Sequence, residues 1–358
     1  MNIYHELLKL PRQRILILRT SSFGDIVKTI PVCVYLKKVL SNPYLDWVIK
    51  EKYVRLIEIF GFKNFITQEA FIKQARNSIL SFFKLLFSSY SPFSDYDIIF
   101  DFQGNAKSGF ISLFFRAKYK AGFTARYCKE LNFLFRNRFF NTIFHNTDSA
   151  IVKSIGMGKL IINTYEKPFE LLYKLGFPQY PFEFLVPQLP EEKVASVLGW
   201  LRHRKIGKFV LIHPGTSKKG ENKRWEVTNF VRLICEIKKH KGLPSIILLG
   251  KDEKALYPFF KNLSLIPDFE VGLEEMIILM KNCYFFIGND SAPLHLASIL
   301  GTKSIGIYRA SNPLIMGFPG GYFASNYFFI TEKQQRNFYV PVSFEQVWRV
   351  VEKICEAR

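Results

Sequence analysis

Short apolar runs alternate with longer amphipathic stretches along the whole chain. Ile15-Leu-Ile-Leu18 is bounded by polar residues and has the length of a strand buried on both faces. Similar runs occur at 45–49, 96–102, 209–212, 245–249, 284–287 and 303–308. Between them, helical spacing predicts a helix ending at 36–40 and others over 54–60, 145–176, 191–201, 227–239, 273–280, 294–300 and 344–355. Residues 1–13 read as a polar extension before the first strand. Strands that alternate with helices predict parallel sheets, because each parallel neighbour needs a crossover. The alternation runs twice. Pro178, Pro181, Pro187 and Pro190 interrupt it, as in an extended linker. The expected organisation is an α/β chain with a Rossmann-like domain over 1–177, a proline-rich linker over 178–190, a second Rossmann-like domain over 191–342 and a terminal helix over 343–358.

Length and charge narrow the function classes. A chain of 358 residues has room for two cores. It has no apolar run of about 18 residues, so no spanning helix is expected. The N-terminus lacks the apolar segment and cleavage site of a signal peptide. Cys33, Cys128, Cys235, Cys283 and Cys355 are scattered without C-x-x-C spacing, which suits reduced thiols in the cytosol. A net charge of +20 points to a polyanionic partner: nucleic acid, an anionic membrane face or a phosphorylated substrate. A nucleic-acid binder would be expected to carry a recognition-helix, zinc or RNP signature, and none is present. Over 103–142, Glu130 stands against eight Lys and Arg, including Lys107 and Arg126, interleaved with Phe and Tyr; this predicts an anion site. The apolar and basic stretch at 71–87 reads as an amphipathic helix on a core, with a membrane-surface helix as the alternative. Asp95 and Asp97 have metal-like spacing, but the alternation of Asp97 and Asp101 with apolar residues suits strand ends better, and no metal is expected there.

The candidate chemistry lies in loops after the predicted strands, where open α/β sheets bind ligands. After the first strand come Thr20, Ser21, Ser22, Gly24 and Asp25. This loop matches neither the dinucleotide fingerprint nor the Walker loop. Asp25 reads locally as a helix cap. In the second half, His213-Pro-Gly-Thr-Ser217 offers hydroxyl and N–H groups, with no side-chain barrier at Gly215. Lys223-Arg-Trp225 adds cations suited to a diphosphate. Gly250-Lys-Asp-Glu253 places an acid where ribose hydroxyls are met in other nucleotide sites. Gly288-Asn-Asp-Ser-Ala-Pro293 sets a carboxylate, a hydroxyl and N–H groups before a helix that carries His295. Read together, these loops predict a nucleotide-diphosphate site in the second half.

The motifs Arg19-Thr-Ser-Ser-Phe-Gly-Asp-Ile-Val-Lys-Thr-Ile-Pro31, Asp46-Trp-Val-Ile, Asp101-Phe-Gln-Gly-Asn-Ala-Lys-Ser108, His213-Pro-Gly-Thr with Lys223-Arg-Trp225, and Asn289-Asp-Ser-Ala-Pro-Leu-His295 run in family order over about residues 14–310. They resemble the glycosyltransferase family 9 heptosyltransferases. The first-half motifs are most similar to the heptosyltransferase I branch. The Pro-Gly-Thr and Lys-Arg-Trp forms are similar to the heptosyltransferase II branch. The resemblance implies a GT-B fold, two Rossmann-like domains facing across a cleft. It implies an inverting transfer of heptose from ADP-L-glycero-β-D-manno-heptose to Kdo of Kdo-lipid A in lipopolysaccharide inner-core synthesis, with no cofactor or metal required. Asp25 matches the catalytic base, and Lys223, Thr216 and Ser217 match positions that stabilise the departing ADP. Asp290 and His295 match positions near the donor, Ser291 and Ala292 N–H groups face its diphosphate, and Glu253 matches an acid on the ribose. Ser22, Gly24, Lys107 and Arg126 are the acceptor-side candidates. The terminal helix would cross back to the first domain. The acceptor's phosphates and carboxylates would draw a basic protein to the cytoplasmic face of the inner membrane as a peripheral enzyme.

Overall fold

In the computed structural model, the described residues are 2–77, 95–123, 130, 163–179, 181–309, 311, 313–319, 327–331, 333–335 and 338–356. The chain divides into two compact units, Met1–Pro181 and Phe182–Arg358.

The first unit is built on a parallel sheet of β1 (Gln13–Leu18), β2 (Pro43–Ile49), β3 (Phe65–Thr67), β4 (Tyr96–Asp101) and β5 (Ala117–Ala121), in the order β3-β2-β1-β4-β5. Ile15 pairs with both Leu45 and Ile98, so β1 has a neighbour on either side. Its four aliphatic residues are fully buried, which is why this strand reads as a continuous apolar run. The helix Phe23–Val39 then returns across the sheet and buries Ile26, Val27, Ile30, Val32, Cys33 and Leu36. A short helix Val54–Glu58 is followed by Gly61, whose φ of 79° turns the chain where a side chain would be strained.

Two expectations change here. Residues 1–13 are not simply an extension: Ile3–Leu8 is a helix capped by the Asn2 side chain, with Ile3 and Leu7 buried. Apolar residues at i and i+4 put both on one face. The aromatics of the basic stretch mostly serve the core. Phe114 and Phe115 pack with Phe71, Tyr96 and Ile111 beneath the sheet, and Tyr119 and Phe123 are also buried. Of the predicted helix at 71–87, the helix Gln68–Asn77 is described and 78–87 lies outside the described residues. Of the helix predicted at 145–176, Glu166–Lys174 is described.

The second unit repeats the design with β6 (Val210–His213), β7 (Ser245–Ile247), β8 (Phe285–Asn289), β9 (Ser304–Tyr308) and β10 (Tyr327–Thr331), parallel in the order β10-β9-β8-β6-β7. A small antiparallel pair, β11 (Lys333–Gln335) and β12 (Phe338–Val340), follows. Val210, Ile212, Phe285, Ile287, Ile305 and Ile307 of the sheet meet Phe230, Leu233, Ile234 and Ile237 of the helix Val227–Lys241 in one core. The terminal helix Phe344–Glu356, which the resemblance would send across to the first domain, buries Val347, Val351 and Ile354 in this same core of the second unit.

Both sheets share the feature that matters for function. Strand order reverses once in each, between β1 and β4 in the first unit and between β6 and β8 in the second. At such a point the crossovers leave on opposite sides, and a crevice opens outside the carboxyl ends of the two strands.

Candidate active site

In the first unit, Asp25 stands beside this crevice. It is the third residue of the helix that follows β1, and its Oδ2 accepts from the Ser22 N–H at 3.3 Å and from the Ser22 hydroxyl at 2.9 Å. The helix-cap role read from sequence is therefore present. It is not the whole role, because Asp25 Oδ1 lies 3.1 Å from an Arg19 guanidinium nitrogen. Arg19 is itself fixed by donation to the Phe102 carbonyl at 2.8 Å. Burial pushes the Asp25 carboxyl up, but Arg19, Lys28 and the Ser22 donors outweigh it and hold the group below the usual aspartate range. The side chain keeps 39% of its exposure. Asp25 is thus an ionised, oriented carboxylate open to solvent.

The neighbouring loop after β4 is tied to this one. Gln103 Oε1 accepts from the Thr20 N–H at 2.7 Å and its hydroxyl at 2.9 Å. Asp101 is buried and accepts from Gln103 N–H, Gly104 N–H and the Ser108 hydroxyl. These bonds hold the short helix Ala106–Ser112, and with it Lys107, on the same carboxyl edge of the sheet. Partial desolvation and then the nearby charge of Lys50 lower the Lys107 ammonium, so two cations share this edge. Arg126 lies outside the described residues.

In the second unit, the donor-side candidates come together around Asp290, which directly follows β8. Its side chain is 1% exposed. Oδ2 accepts from Lys223 Nζ at 2.7 Å and from the Ser311 hydroxyl at 2.6 Å, while Oδ1 lies 3.3 Å from His295 Nε2. Asn289, fully buried, accepts from the Trp225 N–H at 2.9 Å and donates to the Pro214 carbonyl at 2.7 Å. One amide so fastens the loop after β6 to the segment carrying Lys223. Thr216 is buried with its hydroxyl donating to the Gly220 carbonyl at 2.8 Å and accepting from Arg224 Nε at 3.1 Å. The hydroxyl thus braces the loop, whereas Ser217 is exposed. The helix Ala292–Ile299 begins beside this cluster, with Ser291 at its cap position, and its first turn offers N–H groups.

Glu253 completes the set. It is buried, accepts from the Gly250 N–H at 2.7 Å, and lies 3.3 Å from His213 Nε2. Burial pushes its carboxyl up, but His213, the Gly250 N–H and Arg224 hold it below the usual glutamate range. A Cβ at Gly215 would fall 1.7 Å from Glu253 Oε1, so the backbone passes directly over this carboxylate. Beside Gly250, Ile247, Leu249, Lys254, Tyr257, Ile266, Pro267, Phe269, Glu270 and Val271 line a cavity of about 590 Å³, within the usual size of a small-molecule pocket.

The structure therefore assembles Thr216, Lys223, Glu253, Asp290, Ser291, Ala292 and His295 at one switch point, and Ser22, Gly24, Asp25 and Lys107 at the other. Arg19, Asn289 and Ser311 enter as positioning groups that sequence reading left without roles, and Arg224, read with Lys223 as a cation for a diphosphate, donates to Thr216. Arg19 had a local signal, six residues before Asp25; Asn289 and Ser311 are joined to their partners by tertiary contacts. Among the described residues, no group of three or more His, Cys, Asp or Glu is placed to hold a metal ion, and no helix is long and apolar enough to cross a membrane.

Comparison with known proteins places this geometry. The chain is 28% identical over 313 residues to the lipopolysaccharide heptosyltransferase 1 of Campylobacter coli, covering 83% of this chain and 84% of that one. A glycosyltransferase family 9 structure from Veillonella parvula superposes with a TM-score of 0.72 at 17% identity, covering 96% of this chain and 97% of that one. The E. coli heptosyltransferase WaaC, solved with ADP, gives 0.66 at 18% identity over 96% and 100% of the two chains. The structural likeness gives the GT-B fold class, built from two parallel-sheet α/β domains. The profile of glycosyltransferase family 9 (heptosyltransferase) matches residues 93–341. The chain belongs to glycosyltransferase family 9 and is a glycosyltransferase.

Proposed function

We propose that this enzyme moves L-glycero-D-manno-heptose from ADP-L-glycero-β-D-manno-heptose to Kdo of Kdo-lipid A in lipopolysaccharide core synthesis, as a heptosyltransferase of type I. The observation that carries the reading is the Lys223–Asp290 pair at 2.7 Å beside Glu253 and the start of the helix Ala292–Ile299. A cation and first-turn N–H groups suit a diphosphate, and a buried carboxylate suits ribose hydroxyls. The named relatives support ADP as the leaving group: one is a lipopolysaccharide heptosyltransferase, and another was solved with ADP. The cavity beside Gly250 takes the base.

The chemistry follows from the two sites. A sugar hydroxyl is far too weak an acid to ionise at neutral pH, so a carboxylate accepts its proton as attack proceeds. Asp25 takes that role, aimed by Arg19 and Ser22. The acceptor oxygen bonds to the anomeric carbon from the face opposite the diphosphate. The bond from that carbon to the β-phosphate oxygen breaks, and ADP leaves with the electron pair. A base held below the ordinary aspartate range suits an oxocarbenium-like transition state, where the hydroxyl acidifies only as the new bond forms. Lys223 neutralises the charge that grows on the leaving diphosphate, so this scheme needs no metal. Lys107, with Arg126, holds an acceptor phosphate or carboxylate. The net charge of +20 favours peripheral docking on the anionic cytoplasmic face of the inner membrane, where this acceptor sits.

A second reading, transfer to a heptose as in type II, is kept by the Pro214-Gly215-Thr216 and Lys223-Arg224-Trp225 forms. The test is transfer with mass detection, using ADP-heptose, UDP-glucose or GDP-mannose as donor and Kdo-lipid A or heptosyl-Kdo-lipid A as acceptor. The proposal expects product only from ADP-heptose with Kdo-lipid A. Product only from the heptosylated acceptor would make the enzyme type II, and product only from a uridine or guanosine donor would overturn the donor assignment.

A further inference from the structure

His213 ends β6 and is buried between two loops that approach from opposite sides of the switch point. Its Nε2 faces Glu253 Oε2 at 3.3 Å, and its Nδ1 faces the Ser291 hydroxyl at 3.4 Å. The imidazole is the only side chain among the described residues shown to touch both. Glu253 reaches the site from the segment after β7, and Ser291 from the loop after β8. Glu253 is held on three sides: the Gly250 N–H and His213 on Oε2, and the Gly215 backbone against Oε1.

We propose that His213 is a positioning residue that orients the Glu253 carboxylate toward the ribose hydroxyls of the donor nucleotide and couples that orientation to Ser291. This rests on the reading above that Glu253 meets the ribose. A carboxylate distinguishes ribose from deoxyribose only if its oxygens are fixed in direction, because a swivelling side chain re-pairs with water when one hydroxyl is missing. The imidazole, donating from Nε2, supplies the fixing bond to Oε2, and its Nδ1 accepts from the Ser291 hydroxyl. The arrangement fixes the carboxylate in one direction. It also gives the helix-start residue, beside the diphosphate, a bonded path to the ribose carboxylate.

The two ring nitrogens can be replaced separately. His213→Gln keeps an N–H donor near the position of Nε2, and His213→Asn keeps polar contact near Nδ1 only. The experiment measures binding of ADP and 2′-deoxy-ADP by calorimetry to the wild type, His213→Gln, His213→Asn and Glu253→Gln, with thermal unfolding in parallel. The wild type is expected to prefer ADP, and His213→Asn to lose about tenfold in ADP affinity, the worth of a hydrogen bond to a charged group. Its affinity for 2′-deoxy-ADP changes little, so the ratio of the two falls toward one. His213→Gln keeps the wild-type ratio. If His213→Asn weakens both ligands equally, or keeps the full ratio while Glu253→Gln loses it, the positioning role is overturned and the ribose reading stands. If Glu253→Gln keeps the wild-type ratio, the ribose reading itself fails. Should His213→Asn not fold, His213→Gln decides: loss of the ratio in that variant contradicts the proposal.

Discussion

Lys223 and Asp290 form an ion pair at 2.7 Å in which the acid is 1% exposed and the base 28%. The asymmetry sets the consequence of breaking it. Asp290 loses one of the partners that make its buried charge tolerable and keeps Ser311 and His295. Replacement Lys223→Met is expected to destabilise the protein by about 2 kcal/mol, less than the cost of breaking a fully buried pair. It should also weaken ADP binding about tenfold through loss of a charged contact. Denaturant unfolding and calorimetry read the two effects separately, and unchanged ADP affinity would remove Lys223 from the donor site.

Gly215 offers a sharper probe of Glu253. In Gly215→Ala the new methyl would fall 1.7 Å from a carboxylate oxygen at the end of a flexible side chain. That end can move only by giving up its bonds to the Gly250 N–H and His213, so stability should fall by about 2 kcal/mol. The displaced carboxylate should nevertheless lower ADP affinity about tenfold. A normal affinity in a folded Gly215→Ala protein would show that the Glu253 direction does not matter.

Glu166 makes a pH prediction for stability. The residue is buried in the first turn of its helix, and burial, then the charge of Glu170, raise its carboxyl to about 7. A carboxyl raised on folding is protonated in the native state while the unfolded chain has already ionised. Its contribution is therefore fully present below about pH 4 and lost as pH rises through about 7. Between those limits stability should fall by about 3 kcal/mol from this group alone. Urea midpoints between pH 5 and 8 should show this slope in the wild type and a flatter one in Glu166→Gln. Parallel slopes would contradict the assignment.

Asp25 makes the opposite prediction for activity. Arg19, Lys28 and Ser22 hold its carboxyl below the ordinary range, so it stays ionised through neutral and mildly acidic pH. The Asp25 limb of the kcat profile should lie on the acid side of the ordinary aspartate range. An Arg19→Met variant, which removes the strongest of these supports, should move that limb upward. A limb that does not move would show that Arg19 does not tune the base.

How much of this was legible in the sequence depends on the range of the interaction. The run Ile15-Leu-Ile-Leu18 followed by Gly24 and Asp25 is local, and it became β1, a loop and a helix start. The loops at His213 and Asp290 were legible because each follows a run of residues buried on both faces. The strands at Phe65–Thr67 and Ala117–Ala121 were not. The first is three residues long, and the second alternates Lys with small and aromatic residues, so neither forms an apolar run. The buried role of Phe114 and Phe115 was hidden for a related reason: their neighbours are basic, and only the tertiary contact with Phe71 shows that they serve the core. Glu253 was legible as an acid after a strand, yet its partner His213 lies far earlier in the chain and Ser291 far later. Pairings over such distances are set by which strands become neighbours, and no local spacing encodes that.

The central claim is that Asp25 is the base of a heptosyl transfer whose donor is held by the second unit. The most direct measurement is single-turnover transfer from ADP-heptose to Kdo-lipid A by the wild type and by Asp25→Asn, with ADP-heptose binding measured on both. The account predicts transfer by the wild type, a rate lower by about 10²–10⁴ in the variant, and a donor affinity unchanged within about twofold, since the residues assigned to the donor all belong to the second unit. Wild-type transfer rates in Asp25→Asn would contradict it.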